Sequence, residues 1–187
     1  MTIFASLFPL IGIINAIFIP LALYYVWNEN GRFPIRSLPF SHAGDTHTAR
    51  IFSKLVAIAA TLELLFLVEL FTTLPALQTP LLIALPLIGM AALLLTAAVS
   101  SKRSFIIHRI CTGIMVWSLI AWSFLFHTAL LAISTLIGSA GLFLSTILVL
   151  GIPVLYFRHK SFGSSEVLFA SVVVVWNLLM TYLILVQ

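Results

Sequence analysis

Charge is what this sequence has least of. Nine Lys and Arg and five Asp and Glu are spread over 187 residues, 7% of the chain, where soluble domains carry about 25%. A water-soluble surface cannot be assembled from that inventory, so lipid must be the solvent for most of the chain. Cysteine is almost missing too. Cys111 stands alone, which excludes an internal disulfide and any CxxC zinc or redox pair. There is no phosphate-binding loop, no H-E-x-x-H helix and no Ser/His/Asp arrangement of known order. The net charge of +4 does not argue for nucleic acid as a partner. The few basic residues lie beside apolar runs, where membrane orientation accounts for them. The opening residues, "MTIFASLFPLIG", contain no Lys or Arg. They lack the basic n-region of a signal peptide and read as a retained first span.

What is present is apolar length. Hydrophobic residues make up 62% of the chain and the mean hydropathy is +1.22. A spanning helix needs roughly 20 mostly apolar residues, and six stretches qualify: about 3–27, 49–74, 81–99, 105–126, 130–157 and 164–186. No period-two alternation of a barrel appears, and backbone groups in lipid must be satisfied within each segment. The expected fold is therefore all-α, a polytopic integral membrane protein with a six-transmembrane-helix bundle as its single domain. Pro20, Pro86 and Pro153 fall within spans and should bend them. "IGSAG" (137–141) reads as a close helix contact, or as the true start of the fifth span.

The basic residues orient the bundle. Arg32, Arg36, Arg50 and Lys54 flank the first connection, Lys102, Arg103 and Arg109 the third, and Arg158 and Lys160 the fifth. The other two connections and both termini have none. The positive-inside rule then puts loops one, three and five in the cytoplasm and both termini outside. The expected location is a prokaryotic plasma (inner) membrane.

The scarce ionisable groups gather in the first connection, "SLPFSHAGDTHTARIF" (37–52). Three readings compete there. The loop is simply solvated, with Asp45, Thr46 or Thr48 capping the second helix. Alternatively, Arg50, Lys54, Arg103, Arg109, Arg158 and Lys160 share one membrane face and bind anionic headgroups. The third reading is a zinc site of His42, Asp45 and His47, although H-x-x-D-x-H is an unspecific spacing and lacks a fourth ligand. Glu63 lies about 12 residues into span two, roughly 18 Å deep, where a carboxylate usually faces a bundle interior or cavity. Glu69, six residues on, points elsewhere on the helix and sits nearer the outer surface. Glu63 is either held by structural hydrogen bonds or marks a ligand or proton pathway. His108 and Arg109 open span four and His127 closes it, with no evident partner for His127. Haem ligation would need a histidine from another helix for each, because 19 residues on one helix separate the pair by about 28 Å. Glu166 begins span six, while Asn15 and Asn177 are buried amides of the kind that join helices.

With these residues placed, the chain resembles the Frag/DRAM/Sfk-like membrane proteins and the related prokaryotic six-span family of unknown function. Those proteins carry a P-x-I-S-D-x-G type sequence after span one, and "LPFSHAGDTHTARIFSKLVAIAATLE" looks like it, with Pro39, Ser41, Gly44 and Phe52 in matching places. "IIHRICTGIMVW" around His108 and "SSEVLFASVVVVWNLLMTY" with Glu166 look like the family's histidine-bearing helix and last span. Two features depart from the pattern: Ser-His-Ala-Gly replaces Ser-Asp-Thr-Gly, and the charge bias puts this loop on the opposite side from the eukaryotic members. The resemblance implies lipid-linked roles and carries over no cofactor or catalytic residue.

Four function classes follow. A lipid-handling protein would use the basic rim, with Glu63, His108 and Glu166 lining a pocket and membrane lipid as partner. A small transporter would use Glu63 near the midplane. A metal or haem enzyme would use the histidines. A structural subunit would contribute lipid-facing walls to other membrane subunits. The lipid-handling reading is the expectation, with His42, Asp45, His47, Arg50, Glu63, His108, Arg109 and Glu166 as its ligand-binding candidates.

Overall fold

The computed structural model describes residues 9–99 and 104–186. Among them are six helices long and apolar enough to cross a membrane: α1 (Pro9–Glu29), α2 (Ala49–Thr73), α3 (Pro80–Ala98), α4 (Phe105–Leu130), α5 (Thr135–His159) and α6 (Gly163–Val186). Two short 3-10 turns, Phe40–Asp45 and Pro75–Leu77, sit in the first and second connections. No strand occurs among the described residues. The all-α six-helix membrane bundle expected from composition is the observed architecture. Lys102, Arg103 and the beginning of the expected first span lie outside the described residues.

Each helix packs against its neighbours in the chain, and α6 returns to α1, so the six close a ring. The exterior is apolar: Ile17, Leu21, Val68, Ile106, Trp117, Leu136, Phe143 and Leu185 are all exposed. That surface is unfavourable in water and fits a hydrocarbon solvent, in which polar groups must instead turn inward. Inside, Phe66, Leu70, Phe126, Leu130 and Met180 are fully covered. Small residues let backbones approach where hydrophobicity gives no drive between helices. A Cβ on Gly89 would lie 2.7 Å from Leu119, bringing α3 onto α4. The glycines of the 137–141 patch act in the same way: a Cβ on Gly138 would meet the Leu131 backbone nitrogen at 2.8 Å. The patch is therefore a helix contact, and α5 begins ahead of it, at Thr135.

The boundary between spans four and five differs from expectation. The fourth helix runs on to Leu130, so His127 lies within it, and Ser134 caps the fifth by accepting from the Ile137 amide at 3.4 Å. Apolar residues continue unbroken through 129–133, and hydropathy alone could not locate the turn.

The end of the bundle that carries Arg32, Arg36, Arg50, Lys54, Arg109, Arg158 and Lys160 is called the basic end below. The first connection folds over it as a packed cover. Phe33, Phe40 and Ala43 are buried with Val26. Trp27 donates its indole N–H to the Phe33 carbonyl at 2.8 Å. Gly163, at the start of α6, lies so close beneath the cover that a Cβ would stand 2.1 Å from the Ile35 carbonyl oxygen. Thr48 occupies the cap position of α2 without a capping bond. Its hydroxyl instead accepts from Asn30 Nδ2 at 2.9 Å.

Candidate functional site

The helix ring surrounds a cavity of about 220 Å³ to which all six helices contribute. Its wall is aliphatic and aromatic, running from Val26 and Phe52 near the basic end to Leu67 and Trp122 further in. Phe52 and Leu67 are both on α2, 15 positions apart, so the space extends about 22 Å along the bundle axis. No Lys, Arg or His is among the lining residues, and Glu63 is the charged-type residue on the wall.

Glu63 is 7% exposed. Its Oε2 accepts from Asn15 Nδ2 at 2.6 Å and from Asn177 Nδ2 at 3.0 Å. Asn15, Glu63 and Asn177 each stand 14 positions from the basic end of their helices, a common depth of about 21 Å. Three helices are thus joined at one level by a carboxylate and two amides. Buried amides were expected to join helices, and they do so through Glu63. The network is incomplete: Asn15 Oδ1, Asn177 Oδ1, Thr181 Oγ1 and Trp122 Nε1 are buried without a hydrogen-bond partner. Thr181 lies one turn beyond Asn177, against Gly12, where a Cβ would come within 2.2 Å of its Oγ1.

The other expected site residues lie elsewhere. Glu166 does not face the cavity. Its Oε2 accepts from the backbone N–H groups of Phe40 and Ser41, fastening the first connection to α6. His108 is half-buried at the start of α4, with Nδ1 2.8 Å from the Val99 carbonyl oxygen. The expected pocket shared by Glu63, His108 and Glu166 therefore does not form, because the latter two hold backbone at the basic end while Glu63 sits deep in the bundle. His47, Arg50 and Arg109 are exposed, and His42 and Asp45 are half-buried within the first 3-10 turn. The zinc alternative rests on His42, Asp45 and His47. No group of three His, Cys, Asp or Glu side chains able to hold a metal exists among the described residues. The 3-10 turn leaves His47 in solvent while Ala43 turns inward, so the triad does not converge.

His127 is what the sequence reading missed. It is completely buried. Its Nε2 accepts from Trp176 Nε1 at 3.1 Å, and its Nδ1 lies 3.3 and 3.4 Å from the hydroxyls of Ser123 and Ser145. Those hydroxyls are 2.6 Å apart, and Ser145 also donates to the Gly141 carbonyl at 2.9 Å. Because Nε2 accepts, Nδ1 carries the proton, and both ring nitrogens are engaged. Gly141 makes room for the ring, since a Cβ there would fall 1.9 Å from His127 Cδ2. The available signal was spacing: Gly141 and Ser145 share a helical face at i, i+4 in the helix that follows His127.

Fold and cavity together define a multi-pass integral membrane protein, a closed six-helix ring with an apolar interior. No protein-family model, curated protein or solved structure matches the chain.

Proposed function

We propose that this protein binds lipid, taking an apolar chain into the central cavity from within the membrane. The observation that carries the reading is the cavity itself, apolar and lined by all six helices. It exceeds the volume of about 150 Å³ at which dry apolar cavities in proteins take up benzene. A second space gives the route. A groove of about 430 Å³ runs along the outside of the ring between α1 and α6, and Ile19, Leu23 and Ala170 line both it and the cavity. Those three side chains are the partition. Pro20 sits in the groove and lacks the N–H that would bond back to Ala16, which weakens α1 at the point where it must yield. The exposed Arg50, Lys54, Arg109, Arg158 and Lys160 hold the basic end against anionic headgroups. The resemblance to the Frag/DRAM/Sfk-like proteins points the same way, towards a lipid-linked role.

Native mass spectrometry of protein extracted in mild detergent tests this. Wild type should retain lipid at a fixed stoichiometry, and Ala59→Phe, which fills the cavity from α2, should lose it while remaining folded. Ala170→Trp should slow uptake of added lipid by thickening the partition. Wild-type protein without bound lipid, or equal lipid retention in Ala59→Phe, would remove the reading.

A further inference from the structure

We infer that the cavity's ligand is an uncharged amphiphile with a hydroxyl head, lying wholly within the membrane with that hydroxyl at the Glu63 level. The inference rests on the lipid-binding reading and names the class of lipid. Three observations carry it. First, the polar groups of the cavity wall are confined to its deep end, with Asn15, Glu63 and Ser123 there and aliphatic or aromatic side chains towards the basic end. A polar head must therefore sit about 21 Å from the basic end to find partners, a depth at which a phosphate or ammonium head is costly. Second, no Lys, Arg or His lines the cavity, so an anionic head would meet a carboxylate and no cation. Third, two residues of the cavity wall have unmet hydrogen-bonding capacity, one of each kind. Asn15 Oδ1 is an acceptor without a donor, and Trp122 Nε1 is a donor without an acceptor.

These needs select one head. An ammonium only donates and would leave the indole N–H unanswered. A carbonyl only accepts and would leave the amide oxygen and carboxylate unanswered. A hydroxyl does both, donating to the Glu63 carboxylate or Asn15 Oδ1 and accepting from Trp122. An unmet buried donor or acceptor carries a desolvation penalty that a ligand can relieve, so the incomplete network is itself a driving force for binding. The apolar remainder of the ligand then lies along Leu55, Ala59 and Val172 towards the α1–α6 groove.

Trp122 and Trp176 both line the cavity, so their fluorescence reports its occupant. Full-length protein carrying Trp27→Phe and Trp117→Phe retains these two tryptophans. It would be titrated with chain-brominated dodecanol, dodecanoic acid, dodecyl phosphate, dodecylamine and dodecane. Dodecanol should quench saturably at concentrations about tenfold below the other four, the advantage of one well-made hydrogen bond. Glu63→Leu should bring dodecanol to the level of dodecane and leave dodecane unchanged. The ranking in the parent protein decides the question even if that variant does not fold. Equal binding of dodecanol and dodecane, or tighter binding of the acid, phosphate or amine, overturns the hydroxyl assignment and leaves the lipid-binding reading standing. Absence of saturable quenching by any of the five overturns both.

Discussion

Two polar clusters lie inside this membrane bundle, and they are built to opposite rules. Around His127 every ring nitrogen and both serine hydroxyls are engaged, and Gly141 is shaped to admit the ring. Around Glu63 the carboxylate is held by two amides whose own oxygens go unpaired. The first cluster closes on itself even though Ser123 and Trp176 also reach the cavity wall, whereas Asn15 and Glu63 stand on that wall in a network left incomplete. A satisfied network fixes packing, and an unsatisfied one is tolerated where something else completes it. The comparison assigns structure to His127 and binding to Glu63. It can be broken by finding that substitutions at the two sites affect stability and ligand alike.

The largest expected effect is at Gly141. A Cβ there would stand 1.9 Å from a ring carbon of His127, and the ring is held at both nitrogens. Gly141→Val should not give a folded, monodisperse protein in detergent; size-exclusion chromatography reads this, and a normal profile would show that the ring can move aside. Next comes His127→Phe. It keeps the bulk and leaves Ser123 and Ser145 bonded to each other, but it leaves the buried Trp176 indole N–H without a partner, a cost of about 1–3 kcal/mol. Thermal unfolding in detergent should show a clear fall in Tm with unchanged lipid selectivity. A loss of selectivity at unchanged Tm would reverse the roles assigned to the two clusters.

Much of the architecture was legible because it rests on composition. Spans two, three and six emerge within a residue of the helices, since basic residues and loop prolines punctuate the apolar runs cleanly. The turn after α4 was illegible because apolar residues cross it and the polar residues just before it, His127 and Thr128, belong to the helix. Glu63 announced itself as a carboxylate in lipid, and Asn15 and Asn177 as buried amides. That all three meet at one depth follows only once the ring is closed, because helix order around a bundle is a tertiary fact. His108 and Glu166 misled for a related reason. Each sits at the basic end of its helix, where the sequence shows a titratable group but not that its partner is backbone of a neighbouring segment.

Glu63→Gln sharpens the comparison with a smaller effect. Gln keeps an acceptor for Asn15 and Asn177, and hydrogen bonds between membrane helices average only about 0.6 kcal/mol. Tm should change little. Dodecanol should lose part of its advantage over dodecane, because a carboxylate is a stronger acceptor than an amide. A large fall in Tm would show that Glu63, like His127, is chiefly structural.

The smallest effect belongs to Arg109→Ala. Arg109 is exposed on the first turn of α4, its guanidinium 5.1 Å from the Phe105 ring. Nothing in the cavity touches it, so neither Tm nor dodecanol quenching should move. What should fall is the number of anionic lipids co-purifying with the protein, since such lipids are held at the basic end by exposed charge and screened by salt. The same loss should appear in wild type washed at high ionic strength, whereas the cavity's uncharged occupant should survive the wash. If Arg109→Ala and salt both strip the cavity lipid as well, then head and chain belong to one molecule spanning from the basic end to Glu63. The separation of an annular anionic site from a buried neutral one would then fail.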